Sequence, residues 1–343
     1  MVATMQSIAD AAGVSRATVS YVLNGRHIGS RMKINHVTVS KVEKIAELQG
    51  YCRNEIARAV KTGKTNAIGI VGGLSGSYCL EIIKGISDAG ATQGYFIKLF
   101  PAELSTDIEQ IARQCAGQRL AGVICSSLSE EQLHLLRERL EGKHIPIVLV
   151  DNCFHHDWCP RAISDDFNGA KSAVKYLSSL GHRKIIHITN DLNFGFSRLR
   201  YDGYCAGMDE YGLKRDAGSL CVIDSNLELT ESIRAQIREI FLRLKPTAVT
   251  CGSDPIAMKV IIVASELNIK IPDDLSIIGY AGLDYSVISN PPLTTVIQPF
   301  YEVGRQAFYL FEKNINGSKT VADVKLPTEL IIRNSTAPVK KFL

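Results

Sequence analysis

Apolar residues follow two different rhythms along this chain of 343 residues. In the first fifty positions they recur every three or four residues, the spacing of one helix face. Met5, Ile8, Ala9 and Ala12 share such a face, Val19, Val22 and Leu23 a second, and Ile34, Val42, Ile45 and Leu48 a third. Thr4 and Ser15 offer N-cap oxygens to the first two helices. Gly13, between them, tolerates the positive φ of a tight turn, and Gly50 is placed to end the third. From Ile68 the rhythm changes to short apolar runs at 68–71, 95–100, 121–125 and 146–150, separated by helical stretches at 77–92, 105–118 and 129–141. A second series follows, with helices 168–180, 198–211, 229–244 and 254–267 alternating with strands 184–188, 219–223, 247–251 and 275–280. Repeated βαβ units predict parallel sheets flanked by helices, and two tandem series predict two lobes. A strand at 293–298, a helix at 300–315 and a strand at 325–332 complete the pattern.

An apolar fraction of 45% and a charged fraction of 22% fit a globular protein. No run of eighteen apolar residues predicts a membrane span, and the first residues lack a basic-then-apolar leader, so a cytoplasmic location is expected. Nine cysteines, an odd number without regular spacing, are expected to be thiols. Cys153, His155, His156, Asp157 and Cys159 carry metal-ligand chemistry, but their spacing matches no common zinc pattern. They read as a polar loop with incidental thiols; no metal and no cofactor is expected. Charge is uneven. Residues 1–66 hold ten basic and four acidic side chains, a balance of +6 in a chain whose total is +4. A basic head on a near-neutral body suits a nucleic-acid binder whose affinity falls with salt.

The first two helices fit a helix-turn-helix, in which the first braces and the second enters the major groove of duplex DNA. The second is expected to expose Arg16, Ala17, Thr18, Ser20 and Tyr21. Arg16 can fork two hydrogen bonds to guanine and Ala17 can touch a thymine methyl; with Tyr21 these are the base-reading candidates. Ser15, Thr18 and Ser20 suit phosphates, with ordinary helix positions as the alternative for Thr18 and Ser20. Thr4 and Asn24, flanking the pair, join the set of expected DNA contacts.

The string Ala11-Ala12-Gly13-Val14-Ser15-x-Ala17-Thr18-Val19-Ser20-x-Val22-Leu23-Asn24-Gly25 closely resembles the N-terminus of LacI/GalR-type bacterial transcription regulators. The likeness continues in register through Asn54-x-x-Ala57-Arg58-x-Val60-x-Thr62-Gly63, Leu180-Gly181-His182-Arg183, Ser253-Asp254-x-x-Ala257, Ile277-Ile278-Gly279-Tyr280 and Pro291-Pro292-Leu293-Thr294-Thr295. It implies an all-α helix-turn-helix head on a two-lobed α/β body with parallel sheets, similar to periplasmic sugar-binding proteins. The expected divisions are a head at 1–52, a hinge helix and linker at 53–66, and a body at 67–335, with 336–343 as a tail. One lobe is expected to comprise 67–164 and 298–324, the other 165–297 and 325–335.

The resemblance further implies a homodimer on a palindromic operator. Its hinge segments would enter the minor groove, with Asn54, Ala57, Arg58, Val60 and Lys61 as contacts and Val60 as the apolar wedge. It implies a small-molecule effector, a sugar or related metabolite, held between the lobes by Tyr78, Asp151, Arg200, Ser253 and Asp284. Phe194, Phe196 and Trp158 are further aromatic candidates by location. Four departures from the family pattern stand out. Tyr21 replaces a usual arginine, Val60 a usual leucine and Arg53 a usual proline, and Ala281-Gly282 stands where two aspartates are usual, one of them a ligand contact. The loop between Asn24 and Ile34 is also longer than in relatives.

Two other readings fare worse. In a nucleotide-binding enzyme, Gly69-Ile70-Val71-Gly72-Gly73-Leu74-Ser75-Gly76 would be the phosphate loop, but its spacing is not G-x-G-x-x-G and the second strand ends in Lys98-Leu99-Phe100, with no acid for a ribose. A secreted solute-binding protein would need a leader and no basic head.

Overall fold

The computed structural model describes residues 3–23, 34–51, 65–73, 76–103, 105–151, 155–216, 218–224, 228–315 and 322–340. The chain divides into two compact units, residues 1–65 and 66–343.

The first unit holds α1 (Met5–Ala12), α2 (Arg16–Leu23) and α3 (His36–Leu48). Thr4 closes a capping box with Ser7, and the Thr18 amide donates to Ser15 Oγ at 3.1 Å. Gly13 adopts φ 67° beyond α1, and its N–H meets the carbonyls of Ala9 and Asp10. Ile8, Ala9, Ala12, Val19, Val22, Val39, Val42 and Ala46 form the core of this unit. The third face is as expected at Val42, which is in this core, and at Ile34 and Ile45, which pack against it, and differs at Leu48. It runs through Val39, Val42 and Ala46, while Leu48, two positions past Ala46 and so on the far side of the helix, is 77% exposed.

The second unit is built on two six-stranded sheets. Its elements begin with β1 (Ala67–Gly72), α4 (Ser77–Thr92), β2 (Phe96–Pro101), α5 (Ile108–Gly117), β3 (Gly122–Ser126), α6 (Glu130–Glu141), β4 (Ile147–Val150) and β5 (Arg161–Ser164). They continue with α7 (Asp166–Ser179), β6 (Ile185–Thr189), α8 (Gly195–Glu210), β7 (Leu220–Val222), α9 (Glu231–Leu244), β8 (Ala248–Cys251), α10 (Asp254–Glu266) and β9 (Ser276–Ala281). They end with α11 (Tyr285–Ile288), β10 (Thr294–Ile297), α12 (Phe300–Ile315), β11 (Val324–Leu326) and β12 (Glu329–Ile331). The first sheet, ordered β11-β5-β4-β3-β1-β2, is wholly parallel. The second, β12-β10-β9-β8-β6-β7, is parallel except for the β10–β12 pair.

The chain passes between sheets three times, after β5, after β10 and after β11. The run 325–332, expected as one strand, is therefore two short strands in different sheets. β5 and α11 were not expected. β5 has only four residues and opens on a charged one, and α11 is a single turn, so neither shows a period.

Helix α12 returns to the first lobe and packs on α4 at very short range. A Cβ on Gly304 would lie 2.1 Å from the Ile82 carbonyl oxygen, and one on Gly85 would lie 2.0 Å from that of Tyr301. Phe300, Val303, Ala307, Phe308 and Phe311 then join Ile82, Ile86 and Ala89 in one core.

Candidate nucleic-acid interface and effector cavity

On α2 the side chains of Arg16 and Ala17 are exposed, as is Ser15 before them. Thr18, Ser20 and Tyr21 are half-buried, which corrects the expectation that all would be open. The Thr18 hydroxyl shares a 2.9 Å hydrogen bond with the Ser15 hydroxyl, so this pair is occupied in capping the helix. Thr4 is exposed at the start of α1. Asn24, Asn54, Ala57, Arg58, Val60 and Lys61 lie outside the described residues, as do Cys153 and the loop 24–33.

In the body, a cavity of about 260 Å³ opens at the carboxyl ends of the strands. It is lined from the first lobe by Tyr78, Asp151 and Phe300 and from the second by Asn190, Phe196, Arg200, Ser253, Pro255, Ile256, Lys259, Ala281 and Leu283, with Gln298 at the second passage between sheets. Such a position, where strands from two sheets end together, is the usual ligand crevice of α/β proteins. Four of the five expected effector residues meet here: Tyr78, Asp151, Arg200 and Ser253. Asp284 does not. It is exposed at the start of α11, because the backbone turns at Ala281 (φ 109°) and Gly282 (φ 74°), and Ala281 and Leu283 line the cavity instead.

Arg200 organises the cavity floor. Its Nε donates to Asp166 at 3.1 Å, Nη1 to the Gly252 carbonyl at 2.7 Å and Nη2 to Gln298 Oε1 at 2.9 Å. The guanidinium lies 4.1 Å from the Tyr280 ring centroid and 5.1 Å from that of Phe196. Burial opposes its charge most strongly, but Asp166, Tyr280 and Asp151 together outweigh it and keep the guanidinium protonated. Arg200 is thus both an ion-pair partner of Asp166 and part of the cavity wall. Tyr78 likewise packs its ring 5.4 Å from Phe300 while lining the cavity. Ser253 stands at the N-cap of α10 without making a cap hydrogen bond.

Asp151 follows β4 in a left-handed conformation, φ 51°. Burial, then the charge of Asp166, pushes its carboxyl up to about 7, with Arg200 opposing. Asp254 is raised to about 6, chiefly by burial, and both its oxygens are engaged: Oδ1 by the Thr295 hydroxyl at 2.6 Å and Oδ2 by the Leu283 amide at 2.7 Å. It anchors the loop after β9.

Asn190, Lys259, Gln298 and Phe300 were not anticipated. Asn190 follows β6 as Asp151 follows β4 and Ser253 follows β8, so the strand-end rule could have found it. Lys259 was visible as the one lysine within the apolar run of α10. Phe194 stacks on Phe196 with centroids 5.6 Å apart, outside the cavity lining. Trp158 lies elsewhere, under the Arg137 guanidinium at 4.5 Å. In the polar loop His155 hydrogen-bonds Asp323 and Asp157, and among the described residues no group of side chains is arranged to hold a metal.

A helix-turn-helix head on a two-lobed body with a cavity between its sheets defines an effector-controlled DNA-binding regulator. A family model described as periplasmic binding proteins and sugar binding domain of LacI family matches residues 65–334, and one described as bacterial regulatory proteins, lacI family, matches residues 4–54. The chain belongs to the LacI family. The repressor CytR of Escherichia coli (strain K12) is 31% identical over 343 residues, 97% of this chain and 96% of the relative. The repressor PurR of Haemophilus influenzae (strain ATCC 51907 / DSM 11121 / KW20 / Rd) is 29% identical, over 98% of this chain and 99% of the relative. Among solved structures, the lac repressor dimer bound to operator and the anti-inducer ONPF shares the fold with a TM-score of 0.78 at 22% identity, covering 98% of this chain and 100% of that one. A LacI-family regulator from Enterococcus faecium with bound ribose has a TM-score of 0.68 at 26% identity, covering 80% and 100%.

Proposed function

We propose that the protein is a cytoplasmic transcriptional repressor that binds a palindromic operator as a homodimer and releases or tightens its grip when a small molecule fills the cavity between the lobes. The observation that carries this reading is the meeting of Tyr78, Asp151, Arg200 and Ser253 in one cavity of a chain with a basic helix-turn-helix head. Arg200 gives the cavity a lever. Its partners Asp166 and Gln298 lie at two of the three passages between sheets, so a ligand that draws on the guanidinium also acts where the lobes join. Such coupling is a differential affinity for two states, typically about 1–3 kcal/mol. Exposed apolar side chains at Leu80, Phe96, Val287 and Ile288 suit a homodimer surface.

On DNA, exposed Arg16 and Ala17 read bases. Val60 wedges the minor groove, and Arg58 and Lys61 hold phosphates, with Asn54 and Ala57 beside them. The test selects the operator from random duplexes and measures binding across salt. Arg16→Ala should relax preference at one position per half-site by about 1–3 kcal/mol, while Lys61→Ala weakens all sequences alike and flattens the salt slope by about one. Equal loss on selected and random DNA with Arg16→Ala removes Arg16 from the reading set. No preference for any palindrome in the wild type overturns the function.

A further inference from the structure

We infer that the molecule the cavity accepts carries an amino group, set against the carboxylate of Asp151. The inference rests on the effector reading above and names the class of ligand. Charge around the cavity leans to the acidic side. Arg200 is the cation that favours ionisation of both Asp151 and Asp254, and it is already paired with Asp166 at 3.1 Å. Its other hydrogen bonds go to the Gly252 carbonyl and Gln298, not to Asp151. Lys259, the second cation of the lining, has Asp224 as the acid that supports its own charge. One guanidinium therefore faces three carboxyls. Asp254 gives both oxygens to Thr295 and the Leu283 amide, and Asp166 answers Arg200. Asp151 is the one acid in the lining, and among the described residues its side chain makes no hydrogen bond. A desolvated carboxylate without a partner is costly, and N–H donors from a ligand offset that cost most fully when they bring positive charge. The other titratable groups that face it, Tyr78 and Cys79 on α4, are raised mainly by burial and stay neutral.

A second observation comes from another part of the cavity. Gln298 gives its Oε1 to Arg200, which fixes the amide orientation because a guanidinium only donates. Its Nε2 is buried and, among the described residues, has no hydrogen-bond partner. Native structures rarely leave such a donor unsatisfied. The cavity thus asks for an acceptor at Gln298 as well as a donor at Asp151. Tyr78, Phe196 and Phe300 add aromatic faces, which attract a cationic edge and cover a flat or ring-shaped body. A ring that bears an amino group together with a carbonyl, hydroxyl or ring nitrogen meets both demands, as in an amino sugar or an aminated heterocycle.

The test titrates the full-length chain by calorimetry with pairs that differ in the amino group: glucosamine with glucose, cytosine with uracil, and adenine with hypoxanthine. The sugar arm carries an aliphatic ammonium and the heterocycle arms a neutral ring amine, so they distinguish the two sources of the group. At least one amino probe should bind about tenfold or more tightly than its partner. Asp151→Asn, which keeps the shape and removes the charge, should erase most of that margin, and a thermal melt shows that the variant is folded. At about pH 6, where the free carboxyl is mostly protonated, the best amino probe should release a proton on binding to the wild type but not to Asp151→Asn. Titrations in buffers of different ionisation enthalpy read that proton. Partners without the amino group that bind as well, a margin that survives Asp151→Asn, or wild-type binding without proton release overturn the inference and leave the effector cavity standing. Absence of binding by every probe to a folded wild-type protein counts against both.

Discussion

At the scale of single residues, the cavity contains a carboxyl poised near neutrality. Asp151 moves from an ordinary 3.8 to about 7 on folding, mainly because burial penalises its charge. The folded state thus prefers the protonated acid. The stability this contributes is whole below about pH 3.8 and is lost as pH rises through about 7. Asp151→Asn should therefore raise the melting temperature relative to wild type at pH 8, with the gain shrinking towards pH 5. A thermal melt series across pH checks this, and a gain that is the same at every pH would refute the assignment. The same substitution should weaken ligand binding, since buried sites that bind are often sites that cost stability. Asp151 and Arg200 were named through the family resemblance, and the structure places both in the cavity lining. Asp284 was misread, because nothing in Ala281-Gly282-Leu283-Asp284 announces that the backbone turns through two positive φ values and aims the acid outward.

At the scale of elements, the helices that close each lobe touch through glycine. Gly304 sits against the Ile82 carbonyl, and in the other lobe a Cβ on Gly203 of α8 would lie 2.2 Å from the Phe167 carbonyl of α7. Backbone atoms cannot rotate away as a side chain can, so an added methyl must push helices apart. Gly304→Ala should destabilise the body by about 1–3 kcal/mol or more, although alanine favours helix, and denaturant titration measures it. An unchanged midpoint would show that α4 and α12 can separate freely. In the head, Ser15→Ala removes the cap of α2 and should cost about 1 kcal/mol. Long periodic helices such as α4 and α12 were legible because their apolar stripes repeat. Short pieces such as β5 and α11 were not, since four residues hold no period and their state follows from neighbours.

At the scale of the whole molecule, residues 1–65 and 66–343 are separate compact units, each with its own core. A chain shortened to residues 66–343 should therefore remain folded and keep the ligand affinity of the intact protein while losing operator binding. Calorimetry and a gel-shift assay read the two outcomes, and a shortened chain that aggregates would refute the division. Arg200→Met should uncouple the two activities in the intact protein. It removes bonds to Asp166, Gly252 and Gln298 together, so ligand should no longer alter operator affinity even where some binding persists.

Hydrophobic period and turn chemistry, which are local, set the helix-turn-helix, the two βαβ series and the basic head, because each depends on residues a few positions apart. What only the tertiary structure decided is what meets across the lobes. Tyr78, Asp151, Asn190, Ser253, Lys259, Gln298 and Phe300 come from separate strands and helices, and no spacing rule brings them together. Charge and burial at Asp151 and Lys259 are properties of that meeting, since desolvation depends on every element that closes around a group and not on its neighbours in sequence.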